Sequence, residues 1–295
     1  MSSTTASTMQ TTFWLGMRFK TPADWEILRH NIEPDKGQLV FADRTQGRLH
    51  VAWAAADRCP DVDQLFTDRR NRDKQHSDTC RFQSIPTIGQ WQGYRCQQQT
   101  QTVTRAGIHD PIHRRWVELA IIWPDKLDQP LEQDLLSAFE VLDDRGGATR
   151  WRAFGIDAQA PPGWRLAQAE VKPAAATMHF AQGNHCRAIV RRYGLTDAWY
   201  HGDPQKVIQR DVKRPDRCIF EPAIYRGRGA CVAHSDETPG LWQRLTHRGR
   251  YRTDWVWPVK PDGDRLYHVT TIGPRREMIE PSSFLADPSQ EGCHP

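Results

Sequence analysis

No stretch of this 295-residue chain approaches the eighteen or so consecutive apolar residues that a membrane-crossing helix needs, so no membrane association is expected. The Ser/Thr-rich opening, residues 1–12, has neither the basic start nor the apolar core of a signal peptide and reads as a disordered tail. Cysteine is sparse and unpatterned. The seven residues stand at 59, 80, 96, 186, 218, 231 and 293, an odd number without a Cys-x-x-Cys. That gives no small-domain disulfide framework and predicts a reducing, cytoplasmic setting. Gly-x-Ser-x-Gly, His-Glu-x-x-His and Gly-x-x-x-x-Gly-Lys-Ser/Thr are also missing. With them go a recognisable hydrolase nucleophile, a helical zinc pair and a phosphate cradle, so no catalytic residue, cofactor or metal is assigned from motifs.

What the chain does contain is one pattern twice. Thr21-Pro22-Ala23-Asp24-Trp25 is echoed by Ala160-Pro161-Pro162-Gly163-Trp164, and Gln38-Leu39-Val40-Phe41-Ala42-Asp43 by Thr177-Met178-His179-Phe180-Ala181-Gln182, both at an offset of 139. Arg48 and Val51 meet Arg187 and Val190 at the same offset, while Asp78-Thr79-Cys80-Arg81-Phe82 meets Asp216-Arg217-Cys218-Ile219-Phe220 at 138. Register held over about sixty residues points to two units of ordinary domain size. The expected boundaries are 13–145 and 149–288, with tails at 1–12 and 289–295. Residues 1–148 carry 18 Lys/Arg against 20 Asp/Glu, leaving 22 against 16 in the rest, so a net −2 is followed by +6. The second unit is the one suited to an acidic partner.

In the first unit, Thr12–Phe19 reads as one strand, Gln38–Asp43 and Arg48–Ala54 as a hairpin, and Asp61–Arg72 as a helix with Val62, Leu65 and Phe66 on one side. Extended runs follow at Cys80–Ser84, Gly89–Gln97, Thr100–Ala106 and Arg115–Trp123, then a helix over Leu131–Leu142. The second unit repeats the order: strands at Trp151–Ile156, Trp164–Glu170, Ala175–Phe180 and Arg187–Tyr193, a helix opened by Asp203-Pro204, and strands that include Trp242–His247 and Tyr251–Trp257. A truncated helix near Pro281–Ala286 closes it. Together these predict an α+β fold, two tandem repeats of an antiparallel sheet covered by helices on one face. The opening of each unit, an extended run, then Pro and Trp, then a hairpin, resembles the start of PsbP-like domains over some forty residues. The resemblance implies that fold and a family of assembly factors and binding proteins; it carries over no functional residue.

Cys80 and Cys218 hold matching places, and Cys96 and Cys231, at an offset of 135, read as a second matching pair. Two thiols per unit could bind a metal or form a redox switch if their strands were neighbours, or could simply pack as small apolar residues. His109-Asp110-Pro111-Ile112-His113 and Cys231-Val232-Ala233-His234 space two ligand types closely, but Pro111 interrupts any helix and solvated loop histidines fit as well. Trp25 and Trp164 are equivalent and fit as core anchors.

Arginine beside aromatics is the more pointed pattern, in Arg191-Arg192-Tyr193, Tyr225-Arg226-Gly227-Arg228 and Arg248 to Trp255. A basic aromatic sheet face could hold phosphate or stack bases. Equally, Arg250, Arg252 and Asp254 alternating with Tyr251 and Trp255 could mark the wet and buried faces of a strand. The expected contact residues are Arg191, Arg192, Tyr225, Arg226 and Arg228. The function these features predict is a non-enzymatic binding or accessory protein presenting a composite surface of the two units to a protein or peptide. Nucleic-acid binding through residues 187–255 and an enzyme with a site between the units are the alternatives.

Overall fold

The computed structural model describes residues 8–76, 80–86, 88–98, 101–143, 146–225, 228–237, 250–259 and 265–285. The chain divides into two compact units, Met1–Asp143 and Asp144–Pro295.

The first unit opens with a hairpin, β1 (Met9–Trp14) and β2 (Met17–Pro22). Thus β1 starts inside the stretch 1–12 read as a tail, and Thr12–Phe19 is not one strand. Leu15 and Gly16 turn it, with φ of 50° and 69°. A two-residue turn with both φ values positive matches the twist of the flanking strands, but Leu-Gly lacks the Asn-Gly signature that would betray it in sequence. Next come β3 (Glu26–His30), β4 (Lys36–Ala42), β5 (Gly47–Ala55), α1 (Val62–His76), β6 (Arg81–Ser84), β7 (Gln92–Gln97), β8 (Thr102–Asp110), β9 (Arg115–Trp123), α2 (Gln129–Ser137) and the short β10 (Glu140–Val141). Strands β3 to β9 form one antiparallel sheet in the order β3-β4-β5-β9-β8-β7-β6, and β10 pairs with β2. In β9 buried and half-buried residues alternate along the whole strand. Its Val117, Leu119 and Ile121 pair with Trp53, Val51 and Leu49 of β5 in the core, all at 2% exposure or less.

The second unit opens with the hairpin β11 (Thr149–Ala153) and β12 (Ile156–Ala160), turned by Phe154 and Gly155 with φ of 56° and 73°. Then follow β13 (Arg165–Lys172), β14 (Ala175–Gln182), β15 (Cys186–Tyr193), α3 (Pro204–Asp211), β16 (Ile219–Tyr225), β17 (Arg228–Glu237), β18 (Arg250–Val259) and β19 (Arg265–Pro274). Their sheet order, β13-β14-β15-β19-β18-β17-β16, runs as the first unit's does. Two irregularities fall 139 residues apart: the hairpin turns just named, and a break in register at Ile27/Arg29 in β3 and at Leu166/Gln168 in β13. A 3-10 turn, Pro281–Phe284, stands where a closing helix was expected, and Trp242–His247 lies outside the described residues.

The expected α+β architecture is not what forms. Among the described residues 54% are strand and 18% helical, and the three α-helices are too few to form a layer over the sheets. In the first unit the β1–β2 hairpin packs on one sheet face, through Phe19 against Phe41 with ring centroids 6.1 Å apart and Trp14 Nε1 donating to Asn31 O at 2.8 Å. In the second, Trp151 of β11 meets Phe180 at 6.3 Å. Reading each hairpin as a single strand missed this β cover. Helix α2 also stops at Ser137, because Phe139 turns in to meet Phe19 and Trp91 (centroids 5.2 and 5.0 Å) and Glu140–Val141 joins β2.

Candidate functional site

The densest chemistry lies under α3. Asp203 caps this helix by accepting from Gln205 N at 3.0 Å, and Pro204 fixes its first φ. Val207 and Ile208 then bury against Cys231, Ala233, Val256 and Leu266, which sets the last residue, Asp211, over β15, β18 and β19. Ladder pairing brings Arg191 opposite His268 and Asp254 opposite Thr270, all on the helix side. Asp254 is the hub. Arg252 donates to it twice, Nε to Oδ2 at 2.7 Å and Nη2 to Oδ1 at 2.9 Å, while Thr270 Oγ1 donates to Oδ1 at 2.6 Å and His268 Nε2 lies 2.8 Å from it. Asp211 Oδ2 stands 3.6 Å from His268 Nδ1 and 3.2 Å from Arg191 Nη1, which also donates to Thr270 Oγ1 at 3.1 Å.

Burial pushes the Asp254 carboxyl up, but hydrogen bonds and charge from His268 and Arg252 outweigh it and hold the group far below the usual carboxylate range. Burial, reinforced by Asp211, lifts Tyr193 to about 12. Two arginines, Arg191 and Arg252, face two carboxylates, Asp211 and Asp254, so these four charges balance. His268 is 0% and Asp254 1% exposed, out of reach of a substrate. The arrangement pins the end of α3 to three strands.

The first unit carries its own network beneath α1. Asp73 receives Arg105 through Nε at 3.0 Å and Nη2 at 2.9 Å, and Tyr94 Oη at 2.8 Å, while Arg69 of the same helix bonds Glu118 at 2.8 Å. Val51 pairs with Leu119, as Val190 pairs with Val269. With those rungs superposed, Glu118 falls where His268 stands and Arg105 where Asp254 stands, so ionisable groups recur at the same rungs with different partners. On the other face, Glu132 of α2 takes Arg95 and Thr104, and Thr104 accepts from Trp123 Nε1 at 3.0 Å. An open cavity of about 270 Å³ near the start of α1 is lined by Cys59, Gln90, Gln92, His109 and Trp116, with the Trp116 ring laid across Gly107.

The residues expected from sequence do not gather at one place. Arg191 belongs to the α3 network. Arg192, one residue on, projects from the opposite face, where a Cβ on Gly155 would sit 2.7 Å from its Nη1. Tyr225 packs against Trp257 and Trp255, with centroids 4.8 and 6.0 Å apart, and Trp257 stacks on Tyr267 at 5.7 Å. Arg226 and the Arg228 side chain lie outside the described residues. Arg252 and Asp254, read as a wet strand face, are buried at 9% and 1% because α3 covers them and they neutralise each other. Asp211 and His268 gave no signal at all, being isolated polar residues some 57 positions apart.

His109 and His113 do not converge on a metal: His113 Nδ1 lies 2.8 Å from Asp110 Oδ2 and His109 Nε2 lies 3.0 Å from Ala56 O. Asp110 instead organises the β8–β9 turn, accepting also from the backbone of Ile112 and His113 and from Arg115 Nε. No group of three or more His, Cys, Asp or Glu among the described residues is arranged to hold a metal ion. Cys96 and Cys231 are not counterparts: Cys231 pairs with Pro222, whereas Cys96 pairs with Phe82. Trp25 and Trp164 are buried at 3% and 7%, Trp164 edge-on to Phe284 at 4.8 Å.

Fold and clusters define a two-unit antiparallel β protein with helix-pinning ionic networks. No family model, curated protein or solved structure matches the chain. None of the described helices is long and apolar enough to cross a membrane.

Proposed function

We propose that the chain is a non-enzymatic binding or accessory protein, built by duplication of one unit, whose second unit offers the contact surface to a protein or peptide partner. The recurring turns and register breaks at an offset of 139 support the duplication. One observation carries the binding reading. The edge strand β16, Ile219-Phe220-Glu221-Pro222-Ala223-Ile224-Tyr225, leaves Ile219 63% and Ile224 77% exposed, and the two fall on opposite faces of the strand. An apolar edge invites aggregation unless it is guarded. Pro222 supplies the guard, since it removes a backbone donor from the middle of the strand and proline fits a ladder only where its nitrogen faces outward. Strand addition is thereby blocked, and the exposed side chains of Ile219 and Ile224 are left for docking.

The test is affinity capture from nuclease-treated native extract with the wild type and an I219D/I224D variant. The expected result is a defined protein partner that survives nuclease and is lost at least tenfold from the variant, with the melting temperature unchanged. Capture that vanishes with nuclease and falls steeply with salt, while ignoring both substitutions, would instead establish the nucleic-acid reading.

A further inference from the structure

Pairing of β6 with β7 makes neighbours of two thiols that lie 16 positions apart in sequence. Cys96 stands on β7 opposite Phe82, and Cys80 stands just before β6 on the same side of the sheet. The Cys96 thiol donates to the Cys80 sulfur at 3.3 Å, and Cys80 in turn donates to the Asp73 carbonyl at 3.5 Å. Their settings differ. Cys96 is fully buried beside Phe66 and Tyr94, whereas Cys80 is half-buried at the rim of that cluster. We propose that Cys80 and Cys96 form a dithiol site that a low-molecular-weight disulfide closes, reversibly, into an intramolecular disulfide.

Exposure sets the order of events. The Cys80 thiolate attacks one sulfur of R–S–S–R; the small molecule's S–S bond breaks, a Cys80–S–S–R bond forms, and the departing RS⁻ takes up the proton that Cys80 gave. The Cys96 sulfur then attacks the Cys80 sulfur, breaking its bond to SR, and the second RS⁻ leaves with the Cys96 proton. Two cysteines are oxidised to one cystine and the small disulfide is reduced to two thiols, so no further oxidant is needed. Burial first, then the hydrogen bond to Cys80 and its charge, raise the Cys96 thiol to about 12. Capping of Cys80 removes the latter two causes and leaves burial, so Cys96 reacts second, on the Cys80 sulfur that already lies 3.3 Å away. The site therefore passes through a mixed disulfide on Cys80, and closure quickens with pH.

The second unit supplies an internal control. Cys218 precedes Ile219, which pairs with His234, and shares a hydrogen bond with Ser235 where the first unit has a second thiol. Cys231 lies four residues along β17 from Ser235, roughly 13 Å at strand rise. That pair cannot close without unfolding.

Full-length protein is equilibrated with oxidised and reduced glutathione over a range of ratios and mapped by non-reducing peptide mass spectrometry. The expected product is a Cys80–Cys96 cross-link that returns to thiols with excess reduced glutathione, raises the melting temperature by on the order of 5–10 °C, and has no Cys218–Cys231 counterpart. In C96S, glutathione should remain trapped on Cys80; in C80S, Cys96 should stay unmodified. Failure of the wild type to form the cross-link while still folded overturns the proposal, and so does equal cross-linking of Cys218 to Cys231, which would mark oxidation of unfolded chain. The wild-type map decides even if either variant fails to fold.

Discussion

Replacing Asp254 with Asn removes one charge and little volume from the α3 network, and the geometry fixes the cost. Oδ1 accepts from Arg252 Nη2, Thr270 and His268, whereas Oδ2 accepts from Arg252 Nε alone. Asparagine can keep the three-bond oxygen, but its amide then points N–H groups at the Arg252 Nε–H, and a guanidinium that is 9% exposed loses its near counter-charge. Breaking a buried pair by removing one partner costs about 3–5 kcal/mol, and the more distant Asp211, 3.9 Å from Arg252 Nη2, recovers little of it. Removing both charges together leaves neither stranded, so D254N/R252M should recover at least about 2 kcal/mol relative to the sum of the single changes. Urea unfolding monitored by tryptophan fluorescence, with a transition fitted for each unit, measures these values. The pH dependence has a fixed sign. A carboxylate whose native pKa is depressed contributes stability above about pH 4 and loses it as pH falls through the lower native value, so the penalty of D254N should shrink toward pH 2. A loss under about 1 kcal/mol at pH 7, or a penalty that grows in acid, would refute the assignment of Asp254 as the charged hub.

Three further outcomes are expected. Burial works to raise Asp110, but hydrogen bonds from the His113 side chain and backbone and the charge of Arg115 hold it at about 2 against 3.8, which corresponds to about 2 kcal/mol of stability lost between pH 4 and pH 2; D110N should flatten that limb of an acid-unfolding profile. A Cβ on Gly93 would lie 2.0 Å from the Arg105 carbonyl oxygen, so G93A should cost about 3 kcal/mol in chemical denaturation. In G229A the new methyl meets nothing within 4 Å, and the change should be neutral or slightly stabilising in the same assay.

Much of the strand layout was legible because period-two alternation is written residue by residue, as in Arg115–Trp123, and because Asp203-Pro204 announces a helix start chemically. The two hairpin turns were not, since Leu15-Gly16 and Phe154-Gly155 adopt left-handed conformations without the usual turn residues. That one omission hid the β hairpins that pack on the sheets. The candidate sites were the least legible. Alternation shows that Arg252 and Asp254 share a face, yet not that α3 will lie over it; nor does any local pattern connect Asp211 to His268 or Cys80 to Cys96.

By itself, then, the sequence determined the alternation of most strands, the starts of two helices and the missing motifs of hydrolases and nucleotide binders. Tertiary structure alone decided which face of each strand is dry, which charges neutralise one another, which thiols touch, and that β16 is an edge with its isoleucines exposed. The division is physical: periodicity and capping are set by residues a few positions apart, whereas burial, ion pairing and thiol contact depend on the register between strands that the chain brings together from tens of residues away.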